Sequence, residues 1–159
     1  MPSMATIEDI EDAITQLKET GIYHVKNGDI GTAILGMEET GSQFSISEGG
    51  LTFYKRNVFA NDIIRAILAK TLKQSYLGFY TKLKEDPGHI ILLRKGGQSP
   101  DILCVLLWNK GSRVTYYPGS HLKPLDSYRG ANRIWEVTSA SLDNAGCQPQ
   151  YIDFDDGGW

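Results

Sequence analysis

Apolar residues recur at helical spacing in the first half of the chain, whereas short apolar runs bounded by turn residues fill the second half. A first helix is predicted by apolar residues three or four positions apart, namely Ile7, Ile10, Ile14 and Leu17. Thr6 and Asp9 form a weak capping box at its start, and Gly21 follows where a helix would end. Residues 30–40 predict a second helix, and residues 22–26 between the two alternate as in a short strand.

Two further patterns follow in the first half. Residues 42–47 and 51–56 flank the sequence Glu-Gly-Gly and predict a hairpin whose glycines adopt positive φ angles. Residues 61–84 carry a broad apolar stripe and predict the longest helix. We expect Asn61 or Asp62 to cap this helix and Pro87 to stop it.

The second half predicts β-structure. Apolar runs over residues 89–95, 102–109, 113–117, 133–138 and 150–154 predict strands, and residues 139–146 predict one short helix. Because the helices precede the strands, we predict an α+β fold with N-terminal helices packed on an antiparallel partial β-barrel or sandwich. The 159 residues are expected to form one domain, helix-rich over residues 1–86 and β-rich over residues 87–159.

Composition and charge restrict the classes of binding partner and the cellular compartment that we expect. Hydrophobic residues make up 41% of the chain, as in ordinary globular proteins, and the formal charge of −3 gives no general attraction to nucleic acid or to anionic membranes. The apolar runs are too short to span a bilayer, and the first residues do not resemble a secretory signal. Cys104 and Cys147 stand in unlike settings and predict free thiols, so we expect a cytoplasmic protein.

One short motif carries a resemblance to a known family. A strand-like run over residues 102–117 leads through a polar turn to the sequence Pro-Gly-Ser-His at residues 118–121. Together with the opening helix and the predicted strand after Gly21, this order resembles phytanoyl-CoA dioxygenase and its relatives, in particular a fungal branch of that family. The resemblance covers residues 7–121. It implies a double-stranded β-helix of the cupin type that binds iron(II) and 2-oxoglutarate.

The ligands that this family uses for iron do not appear in the usual order. Its chemistry needs two histidines and one carboxylate. The family supplies two of these three ligands from an HxD or HxE motif that precedes the Pro-Gly-Ser-His sequence, which we call the corner (residues 118–121 here). The chain has three histidines, His24, His89 and His121, and none of them begins such a motif or follows the corner. In the family, the histidine of the corner is not itself a ligand. We therefore predict a degenerate, truncated relative without bound metal or cofactor, which ends in an exposed Trp159.

The expected function is binding, either of a small apolar or anionic ligand or of a protein partner. The candidate binding residues are aromatic, histidine or arginine side chains near the predicted strands, namely His89, Arg94, Trp108, Arg113, Tyr117 and Trp135. Each also has a structural interpretation, because aromatic residues in strands commonly pack in a core and turn residues commonly form ordinary loops. If strands are missing from the barrel, its open edge predicts a homodimer.

Two alternatives remain open. In the first, the protein is a cofactor-free isomerase or cyclase in which His121 is the catalytic acid–base residue, oriented by Asp126 or Tyr128. In the second, His89, His121 and a carboxylate hold iron in a new order, and the protein is an oxygenase. The acidic residues near the end of the chain predict a solvated tail, with a calcium site as the alternative: Asp153, Asp155 and Asp156.

Overall fold

The protein has an α+β fold, as the order of its elements predicted. The computed structural model describes residues 6–41, 43–72, 74–78, 80–83, 88–93, 102–130 and 134–159. The α-helices are α1 (Ile7–Thr20), α2 (Gly28–Glu39), α3 (Glu48–Tyr54), α4 (Asp62–Thr71) and α5 (Ser139–Asn144). The strands are β1 (Ile90–Ile91), β2 (Ser112–Tyr116), β3 (Ser127–Arg129), β4 (Trp135–Val137) and β5 (Gln150–Phe154). The predicted boundary at residues 86–87 lies outside the described residues.

The first two helices form where the sequence predicted them. Thr6 and Asp9 make the predicted capping box, in which the Thr6 hydroxyl accepts from the Asp9 amide and the Asp9 carboxylate accepts from the Thr6 amide. Helix α1 ends at Gly21, which has a φ of 78°. The side chain of Asn27 caps α2 by accepting from the Asp29 amide. Local capping chemistry therefore fixes both helices.

The predicted hairpin over residues 42–56 is wrong. Residues 48–54 form helix α3, which continues as a π-helical turn over Lys55–Phe59, and neither glycine of the expected turn has a positive φ. The Ser47 hydroxyl accepts from the Gly50 amide and so caps α3. The ring of Phe44 packs on Phe53 and Tyr80, at centroid distances of 5.5 and 6.0 Å. A serine cap and an aromatic cluster thus favour a helix over the turn that the glycines suggested.

The predicted helix over residues 61–84 is too long. Asn61 caps α4 as expected, but the helix ends at Thr71 and Leu72 is already extended. The buried residues of α4, Ile64 and Ile67, lie in its first two turns, whereas residues 74–78 are exposed. Tyr80 then returns to the aromatic cluster and donates from its hydroxyl to the Ser47 carbonyl. Because Tyr80 is held beside α3, the chain leaves the helix after Thr71, although the apolar pattern in the sequence continues beyond it.

The strands form two small antiparallel sheets. One has the order β1–β4–β3, the other pairs β2 with β5, and the described residues do not form a closed barrel. Residues 102–109 form no ladder, so this predicted strand is wrong, apart from a single bridge between Trp108 and Gly158. Alternate residues of this segment, Leu103, Val105 and Leu107, pack against the helices. The apolar alternation therefore marks a partly buried face without marking a strand.

The core consists of two clusters. The first joins the helices and contains Ala13, Ile30, Val58, Ile64, Ile67 and Trp159. The second lies between β4 and α5 and contains Val137, Leu142 and Cys147. The expected exposure of Trp159 is wrong, because its side chain packs into the first cluster and its backbone exchanges two hydrogen bonds with Val25. Among the described helices, none is long and apolar enough to cross a membrane.

Candidate functional site

The corner that contains His121 docks on the C-terminal end of α1. The Gly119 amide donates to the Thr20 carbonyl at 2.8 Å, and Nε2 of His121 lies 3.1 Å from the Lys18 carbonyl. The imidazole packs so closely on Gly21 that a Cβ there would clash with the ring. The corner thus satisfies carbonyl groups that the end of a helix leaves without intrahelical partners.

Both ring nitrogens of His121 face the protein. Nδ1 is buried against Gly21 and, within the described residues, has no hydrogen-bond partner, while Nε2 points to the Lys18 carbonyl. The structure therefore gives His121 a role in joining the corner to α1. Its predicted role as an acid–base residue stays a prediction.

Most of the other predicted site residues lie apart from one another. Trp108 donates from Nε1 to the Tyr116 hydroxyl at 2.9 Å and stacks on Phe154. Arg113 donates from Nε to Asp153 at 2.9 Å across the exposed face of the β2–β5 sheet. Tyr117 packs on the cluster between β4 and α5. Arg94 lies outside the described residues.

His89 belongs to a cluster with Glu136 and Tyr128, which we call the His–Glu–Tyr cluster. Nδ1 of His89 lies 2.7 Å from Oε2 of Glu136, and the Tyr128 hydroxyl donates to the same oxygen at 3.1 Å. Glu136 pairs with Tyr128 across β3 and β4 and with Ile91 across β1 and β4. His89 precedes β1, so three neighbouring backbone segments bring the three side chains to one face of the sheet.

The register of the sheet separates this face from the core. Val137 and Ile90 pair directly and both contact the cluster between β4 and α5, whereas their neighbours Glu136 and His89 point the other way. The predicted site residue Trp135 also lies on the opposite face from Glu136, and the Arg129 guanidinium stands 5.9 Å from the centroid of its ring. The structure thus places Trp135 in β4 and His89 just before β1, with their side chains on different faces of the sheet.

Burial and charge distinguish Glu136 from the two residues that bind it. Its side chain is only 4% exposed, whereas that of His89 is 50% exposed. The hydrogen bond from His89, with a further contribution from the Tyr128 hydroxyl, holds the pKa of Glu136 below its usual value despite burial. The hydrogen bond that the Tyr128 hydroxyl makes to Glu136 raises the pKa of that hydroxyl. The cluster therefore contains a buried, ionised carboxylate behind a half-exposed imidazole and a phenol.

The lowered pKa of Glu136 predicts a contribution to stability that depends on pH. Because the folded state favours the ionised carboxylate, this contribution is present above the pKa of the unfolded chain and is lost as the pH falls through the folded pKa. We expect wild type to be more stable than Glu136→Gln at pH 7 and the difference to shrink on acidification. Urea unfolding of both proteins between pH 7 and pH 3 measures this difference in the free energy of unfolding. Glu39→Gln, at an exposed glutamate, is the control. A difference that is constant over this range would contradict the prediction.

Glu136 was not among the predicted site residues, and Tyr128 was predicted only as an orienting partner of His121. A usable indication was present, because Glu136 is a charged residue between Trp135 and Val137 in a run that otherwise predicts a buried strand. A charge at such a position requires hydrogen-bonding partners. Its partners could not be identified from the sequence, since 47 residues separate His89 from Glu136.

The acidic residues near the end of the chain pair with basic side chains. Asp153 binds Arg113, Asp155 lies 3.7 Å from Lys26, and Asp156 lies 3.8 Å from Lys110. All three carboxylates are exposed, as the solvated-tail interpretation predicted. In the described part of the chain, no group of three histidine, cysteine or acidic side chains is arranged to hold a metal ion.

Comparison of this chain with protein families, with curated proteins and with solved structures finds no match. The resemblance to phytanoyl-CoA dioxygenase therefore stays a prediction.

Proposed function

We propose that the protein binds a small molecule at the His–Glu–Tyr cluster and needs no metal to do so. The observation that supports this proposal is the shared oxygen of Glu136, which holds both the His89 imidazole and the Tyr128 hydroxyl. Binding costs less entropy when the binding side chains are already ordered in the free protein. The buried carboxylate thus prepares two partly exposed side chains on one face of the sheet for contact with a ligand.

The chemistry of the cluster favours a ligand that presents an oxygen acceptor, such as a carboxylate or a phosphate. A protonated imidazole donates hydrogen bonds, and bonds from a charged donor to an anionic oxygen are stronger than neutral ones. The carboxylate of Glu136 orders the His89 imidazole through its contact with Nδ1. The ring of Tyr128 adds apolar surface beside it. The sequence suggested that Arg94 or Arg113 would contact an anionic ligand. The anion site proposed here is His89.

The proposed binding site is compatible with the degenerate cupin-type scaffold that the sequence resemblance implies. The antiparallel sheets and the corner at residues 118–121 support that part of the proposal, while the cupin-type arrangement of the strands stays a prediction. The homodimer, the cofactor-free enzyme based on His121 and the oxygenase with rearranged ligands also stay predictions. Sedimentation velocity on the purified chain tests the dimer.

Acetate and inorganic phosphate are suitable probes for the proposed site. We expect either anion, titrated at pH 6 into protein labelled with ¹⁵N in histidine, to produce a saturable shift of the His89 ring resonances. The rings of His24 and His121 provide internal controls, because one packs against Phe154 and the other against Gly21. Glu136→Gln should weaken the binding, since it removes the carboxylate that orders the His89 imidazole and the Tyr128 hydroxyl.

Two results would contradict the proposal. One is a shift that grows linearly with salt concentration and is equal at the three histidines, because it would report ionic strength alone. The other is saturable binding that is unchanged in both His89→Gln and Glu136→Gln. In either case the His–Glu–Tyr cluster would be a structural hydrogen-bond network.

A further inference from the structure

We infer that a small cavity beside α3 is a second binding site, which takes uncharged apolar molecules of about the size of one ring. The cavity has a volume of about 200 Å³, and its described lining residues are Ile46, Leu77, Gly78 and Tyr80. We call it the Ile46 cavity. It shares no lining residue with the His–Glu–Tyr cluster, so this inference does not rest on the proposed function. The small apolar ligand that the sequence also suggested would bind here.

The backbone of Ile46 lies in the left-handed region, where isoleucine is rarely found. Its φ is 54°, and it is the one residue other than glycine with a positive φ in the described part of the chain. A β-branched residue is strained in this conformation, whereas glycine and asparagine adopt it more readily. The side chain is also 84% exposed, so neither backbone conformation nor burial favours isoleucine here. Contact with an apolar ligand accounts for it, since such departures occur preferentially at functional sites.

Hydrogen bonds on both sides of Ile46 hold this conformation. The Ser45 hydroxyl lies 3.0 Å from the Thr81 hydroxyl. The Tyr80 hydroxyl donates to the Ser47 carbonyl at 3.1 Å. The strained segment is thus fixed to the segment that forms the other wall of the cavity. A wall that is ordered before the ligand arrives lowers the entropy cost of binding.

The ring of Tyr80 gives the cavity a rigid aromatic wall. This ring packs against Phe44 and Tyr54, at centroid distances of 6.0 and 6.3 Å. Packed side chains of this kind keep one arrangement and do not collapse into an adjacent space. An aromatic ligand would add a further ring contact to this group, and such contacts contribute more than the burial of their area alone.

The size and the lining of the cavity indicate the class of ligand. An apolar cavity of about 150 Å³ binds benzene, whereas sites for drug-sized ligands measure about 300–1,000 Å³. The volume of about 200 Å³ is therefore suited to one ring. None of the described lining residues carries a carboxylate, ammonium, guanidinium or imidazole group, and the nearby Lys82 pairs with Glu38. A charged ligand would lose solvation there without gaining a partner among these residues.

Toluene is the probe, added to the full chain labelled with ¹³C in the methyl groups of isoleucine and leucine. We expect saturable shifts of the Ile46 and Leu77 methyl resonances, because a bound aromatic ring changes the magnetic field at the methyl groups beside it. The methyl groups of Ile7, an exposed isoleucine on α1, provide the internal control. Benzoate has the same ring with a negative charge, and we expect it to leave the Ile46 and Leu77 resonances unchanged.

Two substitutions test the cavity itself, with the Leu77 methyl groups as the measured resonances. Ile46→Asn removes an apolar wall but suits the left-handed backbone, so we expect toluene to bind about tenfold more weakly and the thermal midpoint to stay equal or rise. Gly78→Leu should fill the cavity and abolish binding. It should still fold, because a Cβ at Gly78 meets no described atom within 4 Å. Ile7→Asn is the matched control and should leave the affinity unchanged.

Four results would overturn the inference. The first is toluene binding that is equal in wild type, Ile46→Asn and Gly78→Leu, and the second is equal shifts at the Leu77 and Ile7 methyl groups. The third is benzoate binding at Leu77 as tight as that of toluene. The fourth is a lower thermal midpoint in Ile46→Asn, because isoleucine would then serve the fold.

Sedimentation velocity separates a ligand site from an interface between two copies of the chain. A dimer that Ile46→Asn dissociates, with no saturable binding of toluene, would overturn the inference in favour of such an interface. A monomer that binds toluene at Leu77 supports it. None of these measurements uses the His89 resonances, so the acetate titration decides the proposed function separately.

Discussion

Replacement of Trp159 by alanine is expected to lower the free energy of unfolding by about 3–5 kcal/mol, the usual cost of removing a buried large aromatic side chain. Trp159 is only 9% exposed and packs with residues of α1, α2 and α4. Its ring also meets Tyr23 edge to face at a centroid distance of 5.6 Å. The alanine variant would leave a cavity at the point where the helices converge.

Urea unfolding of wild type and Trp159→Ala at pH 7 measures this effect. The control is Tyr151→Ala, which removes another aromatic ring close to the end of the chain but at a site that is 69% exposed. We expect the control to change the free energy of unfolding by less than about 1 kcal/mol. Similar losses in the two variants would show that Trp159 does not belong to the core.

The second large effect is expected at Gly31, in the first half of α2. A Cβ at this position would overlap the Asp156 carbonyl oxygen and come within 3.2 Å of the Gly157 Cα. Both obstacles belong to the backbone and cannot rotate away as a flexible side chain could. We therefore expect Gly31→Ala to destabilise the protein by about 3 kcal/mol, the upper end of the range for overpacking.

Gly36 provides a control in the same helix, because a Cβ there meets no atom within 4 Å among the described residues. Alanine has the higher helix propensity, so Gly36→Ala should stabilise the protein by about 0.5–1 kcal/mol. We thus expect Gly31→Ala to lower the thermal midpoint of unfolding and Gly36→Ala to raise it. Two shifts of the same sign would disprove the close approach of residues 156–157 to α2.

Local signals in the sequence account for the elements that were predicted correctly. The capping box of Thr6 and Asp9 and the terminal Gly21 place α1, because the groups that satisfy the ends of this helix lie within a few residues of it. Strands β2 and β5 have alternating patterns over five residues each, and they pair along their whole length. The α+β class follows from the same local evidence.

The errors in the fold arise where distant residues decide the local structure. Glu-Gly-Gly at residues 48–50 is typical of a turn, but Ser47 and the contacts of Phe44 with Phe53 and Tyr80 favour α3. The helical pattern after residue 71 likewise gives way to the packing of Tyr80. Trp159 looked like an exposed end because nothing near it in the sequence predicts its contacts with Tyr23 and Val25.

The candidate site was predicted only in part, for a related reason. His89 was selected as a binding residue, but its expected neighbours Arg113 and Tyr117 lie elsewhere, on β2 and against the core. The residue that organises the cluster, Glu136, was hidden within an apolar strand. Pairing of β1 and β3 with β4 brings the three side chains together, and the order of strands in a sheet is not encoded in the spacing of the residues that form it.

The position of Trp159 also has a consequence for the order of events during protein synthesis. The helical segments that surround this side chain are all translated before it, and Val25, its backbone partner, is made far earlier. Contacts between residues so distant in sequence form slowly, because a long loop must close first. We expect the emerging N-terminal helices to stay incompletely packed until residue 159 has left the ribosome.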